Sequence, residues 1–287
     1  MRKLKKKKKP SSGGIKKPNF LQRRRARSNG FIIKSDEEIE TMYAANQIVA
    51  AAFDYIEETV EDGVVLQDLD RMVEEFIVKQ GATSLYKGYQ GNPPSHPPFP
   101  GTICASINNE ICHGLPNKRT LKNGDIIGID IGLRYKNYCG DACYTFVIGD
   151  IPESTQQFLK VAEECLYVGI DMAKPNNRLG QIGQAIEDHA TKHGYSIVRE
   201  WGGHGIGQSL HEPMSVPHHG PAAYGPRLKP GMTFTIEPMV NMGKPDCKLM
   251  PDGWTVKTVD GKLSAQFEHS IAITKTGARI LSKRQSK

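Results

Sequence analysis

The chain has 287 residues, 38% of them hydrophobic and 24% charged, which is the balance of an ordinary folded protein. No apolar run approaches the roughly 18 residues of a membrane span, and no apolar stretch follows the basic start. Neither a transmembrane helix nor a secretory signal is therefore expected. The net charge of +7 conceals two parts: residues 1–34 hold 14 Lys and Arg and no acid, while the remainder has 24 basic and 31 acidic residues.

Residues 1–34 are rich in Lys, Arg, Pro, Gly and Ser without apolar periodicity, and are expected to form a disordered basic extension. Their charge suits a polyanion, with ribosomal RNA the candidate in a cytoplasmic protein. A solubilising arm without a partner and an organelle transit peptide are the alternatives. Order is expected from Ser35, which with Glu38 makes the S-x-x-E pattern of a capping box. Ile39, Met42, Tyr43, Val49, Phe53 and Ile56 follow at helical spacing, with Gly63 as a stop. A second helix runs through Leu66, Leu69, Met72, Val73, Phe76 and Ile77 to near Gly81. Strands and loops fill the chain to Asp150. The six cysteines show neither C-x-x-C pairs nor zinc spacing, and read as reduced thiols.

The segment "GDIIGIDIGLRYKNYCGDACYTFVIGD", residues 124–150, reads as a β-hairpin. With a turn centred on Tyr135 and Lys136, Asp130 and Asp141 fall directly opposite each other. Like charges in that relation are destabilising unless they share a proton or hold a cation. A solvent-facing hairpin with two surface aspartates is the alternative.

After Asp150 the order restarts. "ESTQQFLKVAEECLYVGIDMAKP" reads as a helix ending before Pro175, "LGQIGQAIEDHATKHG" as a shorter one ending at Gly194, and strands follow. Two pseudo-repeats, about 35–150 and 151–285, are therefore expected within one domain spanning 35–287. Their best match pairs "LKNGDIIGID", residues 121–130, with "LKPGMTFTIE", residues 228–237, an offset of 107. Asp130 and Glu237 then hold equivalent places at the seam of an α+β fold. Three further segments supply candidates for that seam: "GGHGIG" with His204, "FTIEP" with Glu237, and "QFEHS" with Glu268 inside a strand pattern. Two Asp, two Glu and one His are too oxygen-rich for a structural zinc site. They suit two divalent ions bridged by carboxylates.

"GIDIG…CGDAC", "GGHGIG…LHEPMSVP", "FTIEPM" and "QFEHSI" together resemble type I methionine aminopeptidases, within the pita-bread metallopeptidases, over about residues 35–283. The resemblance implies a pita-bread fold of two pseudo-symmetric halves around an antiparallel sheet. It also implies two divalent ions (Co, Mn, Fe(II) or Zn). Asp130 and Asp141 would bind them with Asp141 bridging, His204 and Glu237 would hold one, and Glu268 would bridge again. By the same resemblance His113 in "NNEICHGLP" and His211 in "SLHEP" lie near the scissile peptide, and Glu237 moves the proton to the leaving amine. Tyr89, Phe99, Cys104 and Trp254 would line the methionine pocket. The implied activity is removal of the initiator methionine from peptides and nascent chains whose second residue is small. A monomer is expected. The 33 residues from His204 to Glu237 leave little room for the insertion of type II relatives. A Pro-rich insertion near residues 92–100 departs from the family pattern at the pocket mouth. Two other readings share the fold: an Xaa-Pro aminopeptidase or dipeptidase, and a non-catalytic ribosome- or RNA-binding protein.

Overall fold

Each repeat begins with a helical hairpin. The computed structural model describes residues 31–91 and 96–284. The basic extension as far as Gly30 and part of the Pro-rich insertion lie outside the described residues. Helix α1 is Asp36–Glu57 and α2 Leu66–Lys79; α3 is Glu153–Met172 and α4 Leu179–Lys192. The expected capping box is present: the Glu38 amide donates to Ser35 Oγ, and the Ser35 amide to Glu38 Oε2 at 2.8 Å. Gly81 and Gly194 sit at positive φ just past α2 and α4, which only glycine adopts without strain.

The first repeat contributes strands β1 (Thr83–Ser84), β2 (Cys104–Ile107), β3 (Glu110–Cys112), β4 (Ile126–Tyr135) and β5 (Tyr138–Val147). The second opens with β6 (Ser196–Ile197), β7 (Gly203–Gly205), β8 (Glu212–Val216), β9 (Thr233–Ile236) and β10 (Met239–Asn241). It closes with β11 (Cys247–Leu249), β12 (Val256–Thr258), β13 (Ser264–Gln266), β14 (His269–Ile273) and β15 (Ala278–Ile280). In one antiparallel sheet β4 lies between β2 and β5; in another β9 lies between β7 and β14. Strands β4 and β9 begin at Ile126 and Thr233, the same offset of 107 seen in the sequence.

Polar bonds hold the two sheets together. The Glu268 amide donates to Cys143 O at 2.9 Å, Thr145 Oγ1 to Gln266 O at 2.7 Å, and Ser270 Oγ to Asp141 O at 2.8 Å. Each half has its own apolar core. One buries Val49, Phe53, Leu69, Val73 and Ile129; the other buries Phe158, Leu166, Ile186, Phe234 and Ile271. Tyr144 packs against both, with Phe146 at 4.9 Å and Phe267 at 5.2 Å between ring centres. The seam is thus apolar behind the sheets, and the side chains on their other face meet in a cleft.

The hairpin corrects one expectation. Its turn is Lys136–Asn137, both at positive φ (48° and 68°), as a two-residue type I′ turn requires. The register therefore pairs Asp130 with Cys143, and Gly132 with Asp141. The two aspartates are diagonal neighbours on one face and not directly opposite. The turn sits one residue later than expected because asparagine tolerates the left-handed region.

Candidate metal centre

Register decides which side chains converge. Asp130 sits in mid β4, in register with Cys104 on one side and Cys143 on the other. Asp141 faces Gly132, and a Cβ there would lie 2.5 Å from Tyr86 Cε1. The missing side chain makes room for the Tyr86 ring, whose hydroxyl reaches Asp130 Oδ1 at 2.5 Å and Asp141 Oδ1 at 2.7 Å. A phenol has one proton, so one of these contacts needs a protonated carboxyl. Burial and the charge of Asp141 push Asp130 well above the carboxylate range, which supplies it.

The second half brings the other donors. His204 is held in β7 by its amide on Thr235 Oγ1 at 3.0 Å. Its Nδ1 lies 3.2 Å from Gly205 O. A carbonyl only accepts, so Nδ1 carries a proton and Nε2 is the nitrogen turned to the cleft, where a metal ion would take the place of its second proton. Nε2 lies 3.5 Å from Asp141 Oδ2 and 3.7 Å from Glu237 Oε1. Glu237 follows the end of β9, where Pro238 stops the strand, and receives Thr235 Oγ1 at 2.8 Å and Gln266 Nε2 at 3.3 Å. Glu268 precedes β14 and is almost fully buried.

The electrostatics are one-sided. Burial lifts Glu237 to about 7, and burial with the charges of Asp141, Glu237 and Asp130 lifts Glu268 well above the ordinary range. Burial opposes the imidazolium of His204, but Asp141 and Glu237 outweigh it and raise it to about 9. Among the described residues, no lysine or arginine lines the cleft to neutralise these acids. Ligand atoms of Asp141, His204 and Glu268 lie within 4.8 Å of one another. Three buried carboxylates, the half-buried Asp130 and one oriented imidazole outnumber any compensating charge and fit divalent metal, and oxygen donors favour a hard or borderline ion.

The cleft encloses about 720 Å³, and all the residues singled out in the sequence line it. His113, at φ 55°, sets its ring edge-on to Trp201 at 4.9 Å between ring centres. His211 Nδ1 is 3.0 Å from the Tyr89 hydroxyl, and its ring is 4.3 Å from that of His204. Desolvation holds both histidines at about 4, aided by the charge of His211 on His113 and of His204 on His211. Phe99 is buried edge-on to Trp254 at 5.2 Å, and Tyr89 stands beside them. Pro97, in the described part of the insertion, reaches this group: Trp254 Nε1 donates to Pro97 O at 2.9 Å. Cys104 closes the pocket next to Asp130.

Among the cleft residues that the sequence does not single out are Tyr86 and Trp201. Tyr86 lies three residues before Tyr89, and nothing in "SLYKGYQG" distinguishes the tyrosine that grips carboxylates from the one at the mouth. Beneath His211, Glu212 is neutralised by Lys34 Nζ at 2.6 Å, an ion pair with both side chains almost fully buried. Tyr86→Phe keeps the ring and removes the hydroxyl. It is expected to weaken divalent-metal affinity by about 10–100-fold; unchanged affinity in a metal titration would show that the hydroxyl does not orient the two aspartates.

A model of metallopeptidase family M24 matches residues 40–275. Methionine aminopeptidase 1 of Bacillus subtilis (strain 168) is 46% identical over 252 residues, which take in 88% of this chain and 99% of that relative. The chain belongs to metallopeptidase family M24, among the methionine aminopeptidases. The methionine aminopeptidase structure from Rickettsia prowazekii matches this pita-bread α+β fold with a TM-score of 0.85 at 38% identity, covering 88% of this chain and all of that one. The Xaa-Pro dipeptidase from Bacillus anthracis shares the fold alone, with a TM-score of 0.71 at 24% identity; the match covers 92% of this chain but 63% of that one. M24 membership accords with the metal-fitting donor set, and no helix among the described residues is long and apolar enough to cross a membrane.

Proposed function

We propose that this metallopeptidase removes the N-terminal methionine of peptides and nascent chains whose second residue is small, using two divalent ions. The observation that carries the reading is the continuity of one cleft. It joins the five metal-fitting side chains to two neutral histidines and to an aromatic pocket of Tyr89, Phe99 and Trp254. Asp130, Asp141, His204, Glu237 and Glu268 would hold the ions, which when bound supply Lewis acidity and an activated water.

The chain's own groups do the rest. The methionine thioether packs against the ring edges of the pocket, a favourable contact for sulfur. His211 has Nδ1 engaged by the Tyr89 hydroxyl, so its Nε2 is free to bear the proton and donate to the substrate carbonyl. His113 stays neutral at physiological pH and is placed to bond the peptide nitrogen. Glu237, whose Oε1 receives Thr235 and whose Oε2 receives Gln266, is the carboxylate we assign to carry a proton to the leaving amine. The Trp201 and His113 pair beyond the centre supports the limit on second-residue size.

The test is cleavage of peptides beginning Met-Ala, Met-Gly, Met-Lys, Ala-Pro and Leu-Ala, read by mass spectrometry. The protein is first stripped of metal, then given Mn(II), Co(II) or Fe(II). Metal-dependent loss of Met before Ala and Gly only is expected; cleavage of Ala-Pro would place the chain with the prolyl enzymes. The basic extension is proposed to contact ribosomal RNA in the cytoplasm through its charge. Deleting residues 1–30, which spares the buried Phe31 and Lys34, should abolish salt-sensitive co-sedimentation with ribosomes, and undiminished sedimentation would refute it.

A further inference from the structure

The helical hairpin of the second half brings together three further side chains of metal-ligating type. Glu164 lies on α3, His189 in the last turn of α4, and His193 caps that helix. None of them lines the cleft. One ligand atom from each lies within 4.8 Å of the others. His189 Nε2 is already 3.0 Å from Glu164 Oε2, and the two imidazole rings are 4.9 Å apart. We propose that Glu164, His189 and His193 form a second, independent site for a borderline transition-metal ion such as Zn(II) or Ni(II).

Four physical points support this. The histidines are spaced i, i+4, which stacks them on one helix face, the spacing that lets a helix chelate zinc. Donors around a tetrahedral zinc at roughly 2.1 Å stand about 3.3 Å apart, so the observed triad needs only small side-chain rotations to close. The helices that carry it are fixed by Cys165, Leu166, Ile186 and Ala190, all buried in the core, so little backbone entropy is lost on binding. The histidines also sit at the C-terminal end of α4, where the helix dipole favours a cation. The composition differs from the cleft. Two imidazoles and one carboxylate favour Zn(II), Ni(II) or Cu(II) over Mn(II), and three ligands leave a position for water. The ion would clamp α3 to α4 on the exposed side, opposite their apolar contact.

The experiment uses the untagged full-length protein, stripped of metal. Bound Zn(II) and Ni(II) are counted by equilibrium dialysis with elemental analysis in the wild type, Glu164→Gln and His193→Asn. His193 is exposed, and Asn suits a helix terminus, so both variants should keep the Mn(II)-supported cleavage of Met-Ala peptide that reports an intact fold. The wild type is expected to bind one more equivalent than either variant at micromolar free Zn(II), with affinity at that site at least about tenfold weaker in each variant. The same number of equivalents and the same affinities in all three proteins would overturn the proposal. So would a lost equivalent that also abolishes cleavage, because the ion would then belong to the cleft.

Discussion

Replacing Asp141 by asparagine is expected to lower kcat/KM for a Met-Ala peptide by about a thousandfold or more, roughly 4 kcal/mol of transition-state stabilisation. Asp141 is the carboxylate that touches most of the centre. Its Oδ1 receives Tyr86, its Oδ2 faces His204 Nε2, and its ligand atom clusters with those of His204 and Glu268. Asparagine keeps the shape and can still accept from Tyr86, but brings an uncharged donor group to the cations. Metal content measured on the purified variant should fall together with the rate. The same substitution has an opposite effect without metal. Asp141 raises its neighbours Asp130 and Glu268 by repulsion, so Asp141→Asn should melt in chelator at or above the wild-type temperature. Wild-type activity and metal content in the variant would remove Asp141 from the centre. A lower melting temperature in chelator would show that the variant has simply damaged the fold.

The second large effect concerns the metal-stripped protein and pH. Asp130, Glu237 and Glu268 have folded values raised above their unfolded ones, Glu237 to about 7, and His204 is raised to about 9. Each binds more proton in the folded than in the unfolded chain. Their contribution is greatest at low pH and is lost as pH rises through those folded values. His113, His211 and His269 at about 4, and His218 at about 3, act oppositely, but by pH 7.5 they are nearly neutral in both states. The buried thiols begin to count only above about pH 8.5, where unfolded cysteine ionises. Between pH 7 and 8 the acids and His204 therefore dominate. Stability in chelator should fall by about 1.4 kcal/mol per pH unit for each proton retained, or roughly 3–5 °C in Tm. Saturating Mn(II) replaces those protons and should flatten or reverse the slope. Thermal melts at pH 7, 7.5 and 8 with EDTA and with Mn(II) decide it; identical slopes in both would sink the account.

Much of this was legible before the structure because metal centres need residue types that are otherwise rare in strands. Glu268 within a strand pattern and Asp130 among isoleucines conflict with burial unless something neutralises them. The repeat of Leu-Lys-x-Gly with its terminal acid located two of the seam strands by arithmetic alone. What failed was finer. The hairpin register depended on which two residues take positive φ, and Asn137 held that answer. Tyr86 could not be read at all, because its role arises from the space left by Gly132 across the strand, a relation that exists only once β1 has docked on β4. The insertion puts Phe99 in question, but the Phe99 amide donates to Tyr89 O and the Gly88 amide to Phe99 O, each at 2.9 Å, which fixes Phe99 beside Tyr89.

Lys34 ends the basic extension and is moored twice, by its amide on Gly231 O at 2.7 Å and by its ammonium on Glu212. Phe31 is buried in the core of the second half. Glu212 is next in sequence to His211, so the root of the extension lies under the wall of the cleft. The 30 residues before Phe31 can span at most about 100 Å whatever shape they take. Any surface they grip is therefore kept within that contour of the cleft mouth. A chain end presented on such a surface is met at an effective concentration set by this leash, and no longer by the amount of enzyme in solution.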